Sequence, residues 1–258
     1  MTEWVDDAVR RYWLAWLQDH IDRSVVDLFG YHAVQIGEPD LDGLRANRMP
    51  YRWNIDPAGQ LDAVAEALPF KDRSLDLVLL PHTLERSVDP HQALREVERV
   101  LVPEGRVVIA GLNPFSAWSL RQSRYDLGVR LGVKAGASVP PFGASAGQWL
   151  GLWRLRDWLK LLGFEVELVE RGLFRPACAT QKWLDRCAWM DAAGHALWPW
   201  AANAYLLVAV KRVRGAKLMS AAWKQQRRLV KVPAKSSARV GSTSQKDSLN
   251  KSNATPHE

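Results

Sequence analysis

The alternation of apolar and polar positions along this chain changes period several times, and each change marks an element. Residues 6–21 place Val9, Tyr12, Trp13, Trp16, Leu17 and Ile21 at helical spacing, which predicts an amphipathic helix. Phe29-Gly30-Tyr31 breaks that pattern before a short apolar strand over residues 32–37. A second extended stretch covers residues 51–55, and residues 61–65 read as a third strand. Leu75-Asp76-Leu77-Val78-Leu79-Leu80 is nearly unbroken in apolar character, as expected of a parallel strand covered on both faces.

Helix signals follow that run. Asp89 suits an N-cap, and Pro90 suits the first helical position, where its missing N–H is not needed. Ala93, Leu94, Val97, Val100 and Leu101 share one face, with Arg95, Glu96, Glu98 and Arg99 pointing away from it. Pro103-Glu104-Gly105 turns the chain into a strand over residues 106–111. Strand, helix and strand at this spacing form a βαβ unit, with parallel strands and a right-handed crossover.

Further on, Leu155, Trp158, Leu159 and Leu162 form a helical stripe, and Gly163 sits where a left-handed cap is wanted. Residues 164–168 and 204–211 supply two more strands. The alternation predicts an α/β fold with an open, doubly wound, mostly parallel sheet. Residues 112–153 form a long connection that includes Val139-Pro140-Pro141-Phe142-Gly143. It lies past a strand's carboxyl end, where ligands bind in such sheets, and reads either as a substrate-side lid or as an insertion without a role.

Charge divides the chain. From residue 213 to 258 there are ten Lys or Arg against Asp247 and Glu258, a net of +8, so the other 212 residues carry −1 of the total +7. We expect residues 1–212 to form the domain. Residues 213–258, rich in Ser, Lys, Asn and Thr, should form a basic disordered tail with a short basic helix over 221–232. Contact with nucleic acid or an anionic surface is expected only through that tail, which otherwise serves as a solubilising extension.

Cys178 and Cys187 lack C-x-x-C spacing and a histidine cluster, so no metal site is expected and both read as free thiols. The first twenty residues lack the apolar core of a signal peptide, and the apolar stretch over 197–210 is broken by Pro199 and Asn203. A soluble, cytoplasmic protein without a transmembrane segment is the expectation. Seven of the 13 tryptophans (Trp149, Trp153, Trp158, Trp183, Trp189, Trp198 and Trp200) lie in the second half. They suit either an aromatic-lined pocket for a planar or lipid-like molecule, or bulky core and partner-facing packing.

One ordered series is specific. Leu68-Pro69-Phe70, then Asp72, then Ser74-Leu75-Asp76-Leu77-Val78, Leu84-Glu85 and Asp89-Pro90 lead to Arg95-Glu96-Val97, Arg99-Val100-Leu101 and Pro103-Glu104-Gly105. This series resembles the type 11 family of class I S-adenosylmethionine-dependent methyltransferases, the branch that includes quinone-biosynthesis enzymes. The resemblance is close over residues 63–114 and weaker over 155–168. It implies a Rossmann-like sheet, S-adenosylmethionine as cofactor in a cleft at the strands' carboxyl ends, and methyl transfer to a small or lipid-like acceptor.

Carried over residue by residue, the resemblance puts Gly37 at the end of the first strand and the ribose-binding acid at Asp56. Ala65, Glu66 and Leu68 fall at the adenine, and Pro81 and His82 line the cofactor or substrate. As a lone histidine at a strand end, His82 reads either as a general base or as a structural or cofactor-packing residue. Asp56 also reads as a turn residue before Pro57, and Glu66 as a solvated carboxylate. Asp76 and Asp89 fall at structural positions.

The departures are local. The family follows its first strand with a G-x-G-x-G turn, whereas this chain has Gly37-Glu38-Pro39-Asp40-Leu41-Asp42-Gly43. Only Gly37 matches, Pro39 removes a donor, and Val64 replaces a frequent aspartate. Two other functions therefore stay open: a methyltransferase fold retained as an inactive binding module, and, on the strength of the tail alone, nucleic-acid methylation.

Overall fold

A computed structural model describes residues 7–56, 61, 63–130, 149–178 and 180–212. The first helix, α1 (Asp7–Val25), carries Val9, Trp13, Leu17, Ile21 and Val25 into the core at four-residue spacing. Strands β1 (His32–Ile36), β2 (Tyr51–Ile55) and β3 (Leu75–Pro81) follow, then α2 (Thr83–Arg86) and α3 (Pro90–Val100). The chain continues through β4 (Leu101–Leu112), α4 (Ala117–Arg130), α5 (Leu152–Leu161) and β5 (Phe164–Gly172). It closes with α6 (Gln181–Arg186), α7 (Trp189–Leu197), a 3-10 turn at Pro199–Ala201 and β6 (Ala204–Lys211).

The six strands lie in the order β2-β1-β3-β4-β6-β5. β1 pairs in parallel with β2 and β3, β3 with β4, while β6 runs antiparallel to both β4 and β5. Alternate residues feed two cores. Val34, Val78, Leu80, Val107 and Ile109 pack on one face with Ala93, Leu94 and Val97 of α3 and Leu155 and Leu159 of α5. Ala33, Leu77, Leu79, Val108 and Leu206 pack on the other against α1. A sheet covered on both faces is why β3 shows no polar alternation.

Caps and strand acids act as the sequence suggests. Asp89 accepts from the amides of His91 and Gln92, at 3.0 and 3.1 Å, with Pro90 in the first turn of α3. Asp76 accepts from the amides of Tyr31 and His32, at 2.9 and 3.0 Å, and so holds the entry to β1. Gly163 ends the α5 segment at φ +85°.

Four expectations change. Among the described residues of 61–65 there is no strand, only isolated bridges, Ile55 to Leu61 and Val64 to Ala67. The Pro103-Glu104-Gly105 turn lies inside β4 as a bulge, where pairing steps from Leu75–Leu101 to Leu77–Arg106 and Glu104 takes φ +65°. α1 and β5 run four residues past their expected ends. Helices α6 and α7 are additional. In α6 only Leu184 is buried, so no apolar period announces that helix.

The connection over 112–153 contains α4, and its residues 131–148 lie outside the described residues, as do the tail from 213 and its expected helix at 221–232. Among the described residues no helix is long and apolar enough to cross a membrane. Replacing Asp76 with Ala should leave two strand amides without their charged acceptor and cost about 2 kcal/mol, read as a lower urea midpoint at unchanged m-value.

Candidate active site

Between β1 and β3 the chain's progress across the sheet reverses, and crevices at such switch points, outside the carboxyl ends of parallel strands, are where α/β sheets bind ligands. The loop after β1 is built around Gln35, a buried polar side chain. Its Nε2 donates to the carbonyls of Leu41 (2.7 Å) and Glu38 (3.2 Å), and its Oε1 accepts the amide of Gly43 at 2.9 Å. A Cβ at residue 43 would sit 2.8 Å from that Oε1, so the close approach requires glycine. No helix forms between β1 and β2. Instead Leu41, Leu44 and Met49 are buried in the core beneath α1.

Gly37 takes φ +82°, and its amide donates to the Ile55 carbonyl at 2.8 Å, joining the ends of β1 and β2. Glu38 follows at φ +47° and is buried, drawn toward α1 by Arg10, whose Nη2 lies 3.5 Å from Glu38 Oε1 and also pairs with Asp40. Pro39 and Asp40 are exposed. The Nε of Arg10 is buried with no hydrogen-bond partner among the described residues. Asp56, directly after β2, is buried, and Thr83 at the start of α2 donates to the Ile36 carbonyl.

Beyond β2, Ala65 and Leu68 are buried in the core shared with α3, and the Leu68 amide donates to Glu96 at 3.2 Å. One oxygen of Glu66 accepts from the Ser87 hydroxyl and from the amides of Val88 (2.8 Å) and Asp89 (3.4 Å), bracing the α2–α3 turn. Burial works to raise its pKa, but these hydrogen bonds to the ionised form prevail and the pKa is lowered.

At the end of β3, Pro81 and His82 are buried. His82 takes φ +58°, its Nδ1 lies 2.9 Å from Glu85 Oε2, and its ring centroid is 5.6 Å from that of Trp13 on α1. Glu85 Oε1 accepts the Leu112 amide at 2.7 Å. A Cβ at residue 111 would lie 2.5 Å from the Tyr205 hydroxyl and 2.7 Å from Glu85 Oε1, so these two side chains close over the bare Gly111 backbone. Tyr205 donates to the Leu150 carbonyl at 2.9 Å. Burial first, and then the Glu85 charge, push its pKa well above the ordinary tyrosine value, so it stays a donor.

On the far side of Tyr205 lies a cavity of about 670 Å³. It is bounded by the chain after β4, the first turn of α5, the end of β5 and the segment leading into β6. Three of the tryptophans noted in the sequence, Trp149, Trp153 and Trp200, are in its wall. Gly37, Asp56, Pro81 and His82 thus come to one sheet edge, while Ala65 and Leu68 turn into the core. Sequence reasoning assigned no role to Arg10, Gln35, Glu85 or Tyr205. Only the His82–Glu85 pair, three residues apart across a helix start, left a local signal.

Gly111→Ala should displace Tyr205 or Glu85 and lower stability by about 1–3 kcal/mol in urea unfolding. Tyr205 also gives a signed pH dependence. A proton held more tightly in the folded state stabilises below the unfolded tyrosine pKa near 10, and that contribution fades as pH rises above it. The stability advantage of wild type over Tyr205→Phe should therefore shrink above pH ~10, by at most about 1.4 kcal/mol per pH unit. Urea melts of both proteins at pH 8 to 11 measure it, and a constant difference contradicts the raised pKa.

Comparison with known proteins agrees with this architecture. Residues 42–109 match the family described as "Methyltransferase domain". The uncharacterized protein YafS of Escherichia coli is 33% identical over 154 residues, 58% of this chain and 59% of that protein. A demethylmenaquinone methyltransferase of Clavibacter sepedonicus is 33% identical over 110 residues, 40% of this chain and 44% of its own. The chain thus spans under two thirds of either relative's length. Among solved structures, a chain from the complex of the Haloferax volcanii Trm112 methyltransferase activator with a methyltransferase superposes with a TM-score of 0.53 at 16% identity, over 79% of this chain and 92% of that one. The fold is a Rossmann-like α/β sheet of the kind seen in that methyltransferase complex, and residues 42–109 are similar to the methyltransferase-domain family.

Proposed function

We propose that the chain is an S-adenosylmethionine-dependent methyltransferase acting on a small or lipid-like acceptor. The observation that carries this reading is the convergence of Gly37, Asp56 and Arg10 on the sheet edge where the strand order reverses. The cofactor presents an amino-acid end, a ribose diol and a base, and the residues there suit it. Asp56 offers a carboxylate for the diol, and the Gly37 backbone lets the amino-acid end approach without a side chain in the way. Arg10 offers an unused buried donor for a carboxylate, the kind of group left orphaned only at a cost. Glu66 keeps one carboxylate oxygen outside its bonds to residues 87–89.

When bound, the cofactor supplies an electrophilic methyl group. The chain's own part is to position the acceptor and to take up its proton. The Glu85 carboxylate accepts hydrogen bonds and so orients His82 through its Nδ1–H, and His82 is the residue we assign to that proton. Orientation of the reactants supplies the rest of the rate. The acceptor would occupy the aromatic-walled cavity beyond Tyr205, and the demethylmenaquinone methyltransferase among the relatives fits an acceptor with a planar ring and a lipid-like body.

A second reading, a binding module without catalysis, is favoured by one feature. The loop after β1 is closed on Gln35 and carries Pro39 and the buried Leu41 where the family has glycines. Titration calorimetry with S-adenosylhomocysteine separates the two. Methyl transfer requires binding, with Kd in the micromolar range, weakened at least about 10-fold by Asp56→Ala and by Arg10→Gln, equivalent to about 1.4 kcal/mol each. Absence of heat at high protein concentration overturns the methyltransferase reading.

A further inference from the structure

The cavity beyond Tyr205 combines two kinds of wall. Phe115, Trp149, Trp153 and Trp200 supply aromatic surface, and Arg154 and Arg171 supply cations, with no carboxylate among the described residues of the lining. Phe115, Trp153 and Trp200 are 77, 78 and 66% exposed, a group of large apolar side chains held open at one mouth. Their backbone is fixed: the Asn113 side chain donates to the carbonyls of Trp200 (2.9 Å) and Ala202 (2.8 Å), and Tyr205 holds Leu150 just before α5. At about 670 Å³ the space is in the range of small-molecule sites.

The two arginines are unlike most of the cations the fold uses structurally. Arg99, Arg106, Arg175 and Arg212 each pair with a carboxylate. Among the described residues no carboxylate is paired with Arg154 or Arg171. Arg171 is half-buried in β5, opposite Tyr205 in the strand pairing, and so stands on a rigid element beside the aromatic wall. A guanidinium in that setting favours an anion, bound through two parallel N–H donors, over a neutral polar group.

From this lining we infer that the cavity binds amphipathic anions, molecules with a flat or alkyl apolar body and one carboxylate or phosphate group, with the acid on Arg171 and Arg154 and the body on Trp153, Trp200 and Phe115. That such a molecule is the methyl acceptor rests on the methyltransferase reading. Binding of the anion does not.

The test uses the full-length chain and two acid–neutral pairs below their micelle concentrations: 4-decyloxybenzoic acid with its methyl ester, and dodecyl phosphate with dodecanol. Equilibrium dialysis gives each affinity. At least one acid should bind 10-fold or more tightly than its neutral partner, and which acid does so distinguishes carboxylate from phosphate recognition. Arg171→Gln, and Arg154→Gln to a lesser extent, should bring the acid to within about 2-fold of the neutral compound without weakening the latter. Trp200→Ala should weaken both members of a pair.

Equal affinity of acid and neutral compound for the wild type overturns the inference, as does discrimination that survives the double arginine replacement. S-adenosylhomocysteine affinity, measured on the same variants, serves as the folding control where it exists. Acid binding without S-adenosylhomocysteine binding removes the methyltransferase reading and leaves the anion site standing. The opposite result removes only the anion site.

Discussion

The carboxylate of Glu85 is 3% exposed, and the carboxyl-end edge of the central strands is arranged around the cost of burying it. Taking such a group out of water costs several kcal/mol unless its oxygens are met by well-placed donors. Here one oxygen faces His82 at the end of β3 and the other takes the amide of Leu112 at the end of β4. Gly111 leaves the room for it, and Tyr205 of β6 closes the other side. The charge that joins β3 to β4 adds to burial, the larger cause, in keeping Tyr205 protonated. Through the Leu150 carbonyl it therefore reaches the wall of the cavity beside α5. One buried acid thus sets the geometry of both halves of the site.

How much of this could be read in the sequence depends on how local each interaction is. β3 and α3 were evident because both-face burial and a one-sided apolar stripe are written in consecutive residues, as are the Asp89 cap and Pro90. Residues 61–65 misled because Leu61, Ala63 and Ala65 pack on the core at alternate positions with Val64 exposed, a strand-like pattern, although the described residues there make only isolated bridges. α6 and α7 were invisible for the opposite reason, since their tryptophans, Trp183 and Trp189, stay exposed and leave no period.

The site followed the same rule. Gly37, Asp56 and His82 could be placed just after strand ends from the order of motifs along the chain. Arg10 meets Glu38 across 28 residues, and Tyr205 crowds Glu85 across more than a hundred, so no spacing pattern foretells either contact. Likewise Asp76 could be named as a strand acid, but not as the acceptor for Tyr31 and His32, which precede it by more than forty positions.

The altered loop after β1 is best understood through α1. A glycine-rich turn stays compact because it lacks side chains; this one is compact because Gln35 satisfies three of its backbone groups from below. With residues 37–50 folded as turns, no helix follows β1 to cover that face of the sheet, and α1 covers it with five apolar side chains. Because α1 precedes β1 in the chain, its packing carries Arg10 to the loop, and that cation then holds Glu38 and Asp40. The helix that covers this face thus also brings a charged side chain to the carboxyl ends of β1 and β2. A loop compact without the glycine-rich pattern and a cation beside it therefore belong to one arrangement, in which α1 covers the sheet face next to β1.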